Sequence, residues 1–526
     1  MVFKHGVLAF AVSAALVLTG CGGSSDNTDS SQNTGNTTTV VQAINAQHYS
    51  ISRVANASIG LDGLVDPAAL AVSTTGDVLV AIAEPIDGNT YFSLRRWSNG
   101  QWQDITTGTD LAARSLKISA DNQGGFSIAD LHPAADTIRL RHLTANSTSL
   151  TTGISHSMKG VQHIALTHAN GQDVVLAYSF ESEADRAAVL STARASAVVA
   201  PAEPISYHVL TALSANRSQT SFTETEISAQ ATSYSNSSQF MRMKVVVDNQ
   251  SNINAAWILR RTLSGDGTRS ELYAAATAPS QAPVVQTLLT NQYQLEDLQL
   301  ALAGDNQVLV ATQQVANSAD ARPVVYAQAI ARSNAATVGS AFTSLPSTEW
   351  PSFNMQRLHN GDVRVAFVNN TTALIDTTSK NVSNIYLSTY RPNSPQFDAP
   401  QFVPNSRFEG NMSQQYQHVA LSVNRAGEQL SFAKDQALQA SFSLLGSNTT
   451  PALIPQTLAT ADFGQVTQPS NVLAAASLDS CTSALLWTQQ TSNAASAVSS
   501  AKASPTLTTS YYVSILKVPN ASHAGC

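Results

Sequence analysis

Charge is scarce in this 526-residue sequence, with 12% of residues charged, a formal net charge of -7 and a pI near 5.9, so there is no basic surface to attract a nucleic acid. No apolar run is long enough to cross a bilayer as a helix, which takes roughly 20 residues; the best, Gly6 to Leu18, falls short. Familiar catalytic signatures are missing too. There is no His-Glu-x-x-His zinc motif, no Gly-x-Ser-x-Gly nucleophile elbow and no phosphate-binding glycine loop. Gly153-Ile154-Ser155-His156-Ser157 lacks the elbow's final glycine, and the eleven histidines are scattered, with His142 and His163 reading as structural strand residues. No metal and no cofactor is expected. Calcium would suit Asp- and Asn-rich turns, but backbone geometry explains those turns better.

What is present begins at the first residues. A short positive start at Lys4 and His5, an apolar run and small residues before a cleavage point make a secretory signal. Leu18-Thr19-Gly20-Cys21 resembles the lipobox of bacterial lipoproteins. That resemblance implies cleavage before Cys21 and lipidation of its thiol and new amino group, with acyl chains that hold the protein on a membrane. Gly22 stands where the family's inner-membrane retention signal puts Asp, which points to the outer membrane and leaves the periplasmic or surface side open. The division expected is 1–20 signal peptide, 21–47 lipidated cysteine and flexible Gly/Ser/Thr/Asn linker, and 48–526 folded body.

The body carries a repeated pattern of strand, tight hairpin, strand, loop and strand. One copy runs through Leu70-Ala71-Val72, a turn at Thr74 to Asp77, Val78 to Ile82 and Tyr91 to Trp97. About 46 residues later the next has a turn at Asp121 to Gly125 and a third strand at Thr137 to Leu143. Further hairpins are expected at Asn170-Gly171, Asp248 to Gln250, Asp305 to Gln307, Asn360 to Asp362, Ala426 to Glu428 and Leu478 to Ser480. The matching third strands fall at Val189–Thr192, Leu272–Ala274, Val324–Ala327, Ile385–Ser388, Ala440–Ser443 and Tyr511–Ile515. Asp-Asn-Gln recurs three times, in turns that need positive φ. With a fourth strand such as Gln101 to Ile105 in each copy, the repeats resemble the blades of a β-propeller. The expected fold is all-β: a single propeller, eight blades rather than seven, in which Tyr49 to Val54 completes the last blade. A β-sandwich array is the alternative.

With Cys21 lipidated, Cys481 and Cys526 remain. In a propeller, the chain leaving the last blade near Val518 emerges beside the hairpin that ends at Cys481, so a Cys481–Cys526 disulfide is expected. Loops between the second and third strands share one face with the inter-blade connections, and they are charged here. The candidate binding face comprises Glu84, Asp87, Glu183, Arg186, Arg260, Arg261, Asp266, Arg269, Asp320 and Arg322, with the segment Ser214 to Ser238 as its longest connection. Solvated loops are the plainer explanation of the same charges. Ser264 to Thr268 resembles the aspartate box of sialidase-type propellers only in part, and convergence of Arg260, Arg261, Arg269 and Glu271 would be needed for that chemistry. The eight-bladed lipoprotein of the outer-membrane assembly machinery is similar in architecture only. The function expected is a lipid-anchored envelope module that binds or scaffolds a protein or glycan partner, catalysis being neither required nor excluded. The alternatives are a glycan-active hydrolase or lyase and a structural surface protein.

Overall fold

The computed structural model describes residues 40–44, 47–57, 68–86, 89–105, 113–132, 136–182, 205–233, 237–263, 267–318, 320–403, 406–411, 419–434, 437–444, 456–457, 468–492 and 507–517. Residues 1–20, expected to form a signal peptide, and Cys21 and Cys526 lie outside these residues. All the regular structure described is β-strand.

Seven antiparallel blades follow one another along the chain, at residues 68–104, 115–157, 161–233, 237–292, 294–343, 353–411 and 419–457, each with its strands in sequence order. An eighth sheet closes the ring and is built differently, from both ends of the described chain. Gln468–Ala476, Thr482–Ser492 and Leu507–Lys517 are joined by Gln47–Ala57 and then Val40–Ile44. Tyr49 pairs with Leu516 and Arg53 with Tyr512, so the expected closing strand is in place. Val40–Ile44 forms an edge strand within the stretch expected to be linker. The first strand of each sheet packs beside the first strand of the next, from Ala68–Val72 round to Gln468–Ala476, which returns to Ala68–Val72. This closed ring of radial sheets is a β-propeller, and it is the arrangement that removes exposed sheet faces without a second layer.

The core is a series of seams between neighbouring blades. One cluster unites Val78, Val80 and Ile82 of the first blade with Leu486 and Val513 of the closing sheet, and another unites Tyr178 and Leu210 of blade 3 with Trp257 and Tyr273 of blade 4. A second strand is covered on both faces, so it loses the apolar–polar alternation of a half-exposed strand: Val78 to Ala83 and Val174 to Tyr178 are buried at every position. Outer strands show the opposite, and Gln101–Asp104 and Thr337–Thr343 are mostly exposed.

Two expectations about blade 3 require correction. Its third strand is Ile205–Asn216, while Val189–Thr192 lies outside the described residues. The segment 214–238 is not a long inter-blade connection: it holds the outer strand Thr223–Ser233 and the start of blade 4. The misreading has a physical cause. An outer strand of alternating Thr and Glu that buries only Ile227 of its described side chains has the composition of a loop.

All eight hairpins between first and second strands stand where expected, although positive φ falls mostly on residues other than those of the Asp-Asn-Gln tripeptides. It is carried by Gly76, Gly124, Asn170 and Gly171, Ser251, Gly304 and Gly361. Asp121 and Asp248 instead cap their turns. Asp121 accepts the Gln123 and Gly125 amides at 2.7 and 2.8 Å, and Asp248 accepts those of Gln250 and Asn252 at 2.8 and 2.9 Å. The third tripeptide is out of register with these, because Gln307 already opens a strand. The caps also join blades: Arg217 of blade 3 reaches Asp121 of blade 2, and Arg332 of blade 5 reaches Asp248 of blade 4.

Gly153, in the turn before the outer strand of blade 2, has φ of 75°, and an added Cβ would meet the Leu140 carbonyl oxygen at 2.2 Å. Gly153→Ala is expected to lower stability by roughly 1–3 kcal/mol. A urea unfolding midpoint unchanged from that of the native chain would refute this.

Candidate functional site

The sequence-selected face is the end of the ring that carries the connections between second and third strands. Asp87, Glu183, Arg186 and Asp266 lie outside the described residues, and Glu84 is described only as backbone paired with Tyr91. Asp320 and Arg322 are exposed on the connection of blade 5, and Arg269 donates to the neighbouring Thr268 carbonyl at 2.9 Å. Arg260 and Arg261 are adjacent on the strand Ile253–Leu263 and therefore point to opposite faces of the sheet. Arg260 pairs with Glu296 of blade 5 at 3.3 Å, while Arg261 enters the seam with blade 3. The arginines do not converge, and the sialidase-like grouping is corrected accordingly.

Arg261 nevertheless sits in the most polar cluster of that seam. Register builds it: on blade 3, Phe180 pairs with His208 and His208 with Gln230, so the three side chains stand in a row on one face. Tyr178, two residues before Phe180, shares that face. From blade 4, Arg261 donates through Nη2 to Gln230 Oε1 at 3.1 Å and to the Tyr273 hydroxyl at 3.0 Å, and its Nε lies 2.7 Å from Glu271 Oε2. The Tyr273 hydroxyl donates to Glu271 Oε2. Burial, with the glutamate second, pushes the Tyr273 phenol up to about 12, so it stays a donor and is no nucleophile at neutral pH.

His208 is the least satisfied member. Its ring packs 5.9 Å from Tyr178 and 5.2 Å from Phe180, and His163 stacks on the far side of Tyr178 at 6.0 Å. Nδ1 is bonded to the Tyr178 hydroxyl at 2.6 Å. Among the described residues Nε2 is buried with no hydrogen-bond partner, and the residue is only 3% exposed. Burial, reinforced by the Arg261 charge, lowers its pKa to about 4, so the imidazole is neutral at physiological pH. Phe180, by contrast, is 41% exposed at the mouth of the seam.

A second constellation lies between blades 2 and 3. The Ser127 hydroxyl is 3.3 Å from His142 Nδ1, Asp173 Oδ2 is 3.8 Å from the same nitrogen, and His168 Nδ1 bonds Asp173 Oδ1 at 2.8 Å. Serine, histidine and aspartate here do not form a nucleophilic triad, because serine and carboxylate crowd one nitrogen instead of bridging two, and Ser127 is fully buried. Among the described residues no group of side chains is arranged to hold a metal ion. Cys481 is part-buried just before the strand Thr482–Ser492, and Cys526, its expected partner, lies outside the described residues.

Sequence reasoning reached Arg261 and Glu271 but missed Tyr178, Phe180, His208 and Gln230. No local motif marks them. The usable signal was a histidine and an aromatic within otherwise apolar strand runs, at Tyr207-His208-Val209-Leu210 and Leu176-Ala177-Tyr178.

No family model matches the sequence, and no curated protein does. Solved structures similar to it include polysaccharide lyase Uly1, with a TM-score of 0.41, 8% identity and 86% of this chain covering 89% of that one. The Dos1 propeller gives 0.40, 10% identity, 86% of this chain and 92% of that one. An α-L-arabinanase of Penicillium chrysogenum gives 0.35, 11% identity, 60% and 94%. The fold assignment rests on the sheet topology itself.

Proposed function

We propose that this chain is a lipid-anchored envelope protein whose propeller binds a glycan, with the anchor at Cys21 and the binding face at the mouth of the seam between blades 3 and 4. The observation that carries the binding reading is His208 Nε2, a buried polar atom with no partner among the described residues, beside the exposed Phe180 ring. Native folds rarely leave such an atom unpaired, since an unmade bond costs about 1–3 kcal/mol. An aromatic ring next to amide, imidazole and guanidinium groups suits a sugar, whose C–H face packs on the ring while its hydroxyls meet the polar groups.

The anchor reading is supported by Leu18-Thr19-Gly20-Cys21, and the Cys481–Cys526 pairing by register, because Thr482 pairs with Lys517 and leaves the last nine residues to return beside Cys481. The glycan-active hydrolase or lyase reading remains the rival. Both are tested with cells that carry the full chain. Membranes are expected to retain the native protein and release Cys21→Ser, and detergent-extracted protein is expected to be retarded on gels containing a bound polysaccharide without shortening it. Retention of Cys21→Ser would sink the anchor reading. No retardation by any of a panel of polysaccharides would sink the binding reading, and chain shortening would establish the rival.

A further inference from the structure

Resting on the anchor reading, we infer that the extended hairpin of blade 6, residues 353–411, touches the lipid surface to which Cys21 is tied, with Leu374 and Ile375 entering the headgroup boundary. Its strands, Val363–Ile375 and Thr378–Arg391, are longer than the second and third strands of every other sheet described. The ladder stays paired to its end, where Ile375 meets Thr378 across a two-residue turn. Both turn residues, Asp376 and Thr377, have the positive φ of a turn that continues the strand twist. The inner strand stops at Phe353, opposite Phe367, and the chain before it follows the hairpin only to Asn370, whose carbonyl accepts from the Thr348 amide at 2.7 Å. On the other edge Phe408–Asn411 follows as far as Lys380. Thr371 to Ile375 therefore run on by about 16 Å past the inner strand, as an arm that projects from the ring.

The arm ends in apolar residues. Leu374 is 75% exposed, the most of any large apolar side chain described, and Ile375 beside it is half-buried. At the base of the arm Asn369 donates to the carbonyls of Leu345 and Pro346 at 3.3 and 2.9 Å, and Leu345 is 49% exposed. Of the seven exposed large apolar side chains described, four (Phe180, Tyr293, Leu345 and Leu374) stand on the face that carries the connections between second and third strands, whereas Val284 and Val285 start an outer strand at the opposite end. A clustered apolar surface of this kind is an interaction surface. The sequence supplies its occupant. Residues 22–39 separate Cys21 from Val40, the first described residue, and a chain of that length reaches at most about 65 Å. A propeller anchored at Cys21 is thus held near the bilayer. Two aliphatic side chains are too few to keep a free protein on lipid, but the tether makes their contact intramolecular and raises its occupancy. Because only the tip touches, the Phe180 mouth stays clear of the surface by about the 16 Å that the arm projects.

The test uses the full acylated chain in vesicles of phosphatidylethanolamine and phosphatidylglycerol that contain a nitroxide-labelled lipid. A thiol-linked dye is placed at Leu374→Cys or, beyond the opposite end of the strand Thr378–Arg391, at exposed Asn393→Cys. The native chain carried through the same labelling sets the background. Quenching by the nitroxide lipid is expected to be at least fivefold stronger at Leu374→Cys than at Asn393→Cys. Ser379, which pairs with Leu374 across the hairpin, gives a second probe position should Leu374→Cys fail to fold. Quenching at Ser379→Cys is expected to fall to the Asn393→Cys level when Leu374→Glu is added. Protein that floats with the vesicles but is quenched equally at both ends overturns the hairpin contact and leaves the anchor reading standing. Quenching at Ser379→Cys that survives Leu374→Glu overturns it too, since the tether alone then brings the tip to the lipid. A Leu374→Cys dye already shielded from water in the lipid-free Cys21→Ser chain overturns it in favour of a second copy. Protein that does not float overturns the anchor reading, and this inference with it.

Discussion

Asp248→Ala is expected to lower the stability of the ring by about 3–5 kcal/mol, the loss that follows when one member of a buried ion pair is removed. Asp248 is 1% exposed, and its carboxylate accepts the Gln250 and Asn252 backbone amides, the Asn252 side-chain amide at 2.8 Å, and the Arg332 guanidinium at 3.5 Å. Alanine takes the acceptor from the Gln250 amide and from the buried Asn252 amide, and strands a guanidinium that is itself 4% exposed. Arg332 has other partners, the carbonyls of Gln307 and Gly304 at 2.9 and 2.7 Å, so it stays in place with only the weaker attraction of Asp305 to offset its charge instead of swinging out. Two companions separate the contributions. Asp248→Asn keeps an acceptor for the turn amides and loses only the charge, and is expected to fall between native and alanine. Asp248→Ala with Arg332→Met removes the stranded cation, and is expected to recover part of the loss, since contacting residues are not additive. Urea unfolding at pH 7.5 measures all three, and an Asp248→Ala loss below about 1 kcal/mol would refute the role given to the pair.

That turn also shows what the sequence made legible. Hairpin tips need residues of particular backbone and side-chain chemistry, so Asp121, Asn170-Gly171 and Asp248 announce themselves locally, and the closing strand near Tyr49 followed from the missing fourth strand of the last repeat. The buried second strands were equally plain as unbroken apolar runs. Legibility failed where an element's surroundings, and not its composition, decide its place. Thr223–Ser233 is polar because an outer strand meets water on one side, and it read as loop. The seam failed for another reason. His208 meets Phe180 through strand register and Arg261 through the stacking of whole blades, so neither neighbour is close in sequence. Charge alone nominated both Arg260 and Arg261, yet only the alternation of the strand separates the one that pairs with Glu296 from the one that faces His208.

Acid is expected to weaken the protein before its carboxylates titrate, and His208 is the main cause. Its pKa in the fold is about 4, lowered first by burial and then by Arg261, whereas in the unfolded chain it returns to about 6.5. The sign follows from which state takes the proton. Between those values the unfolded chain binds a proton that the folded chain refuses, so the stability present above pH 6.5 declines as pH falls, by about 3 kcal/mol once pH 4 is reached. His142 acts in the same direction, since burial outweighs the attraction of Asp173 and holds its pKa below the usual histidine value. Asp398 acts in a lower window, because its hydrogen bond to Arg391 keeps its pKa under 3.8 and its contribution survives until the histidines have already titrated. Urea midpoints at pH 7.5 and 4.5 are therefore expected to differ strongly for the native chain. His208→Phe is expected to narrow that difference while retaining the part due to His142, whatever its stability at pH 7.5, because a phenyl ring fits between Tyr178 and Phe180 but has no proton to take up. An unchanged difference would mean that His208 does not stay neutral in the fold.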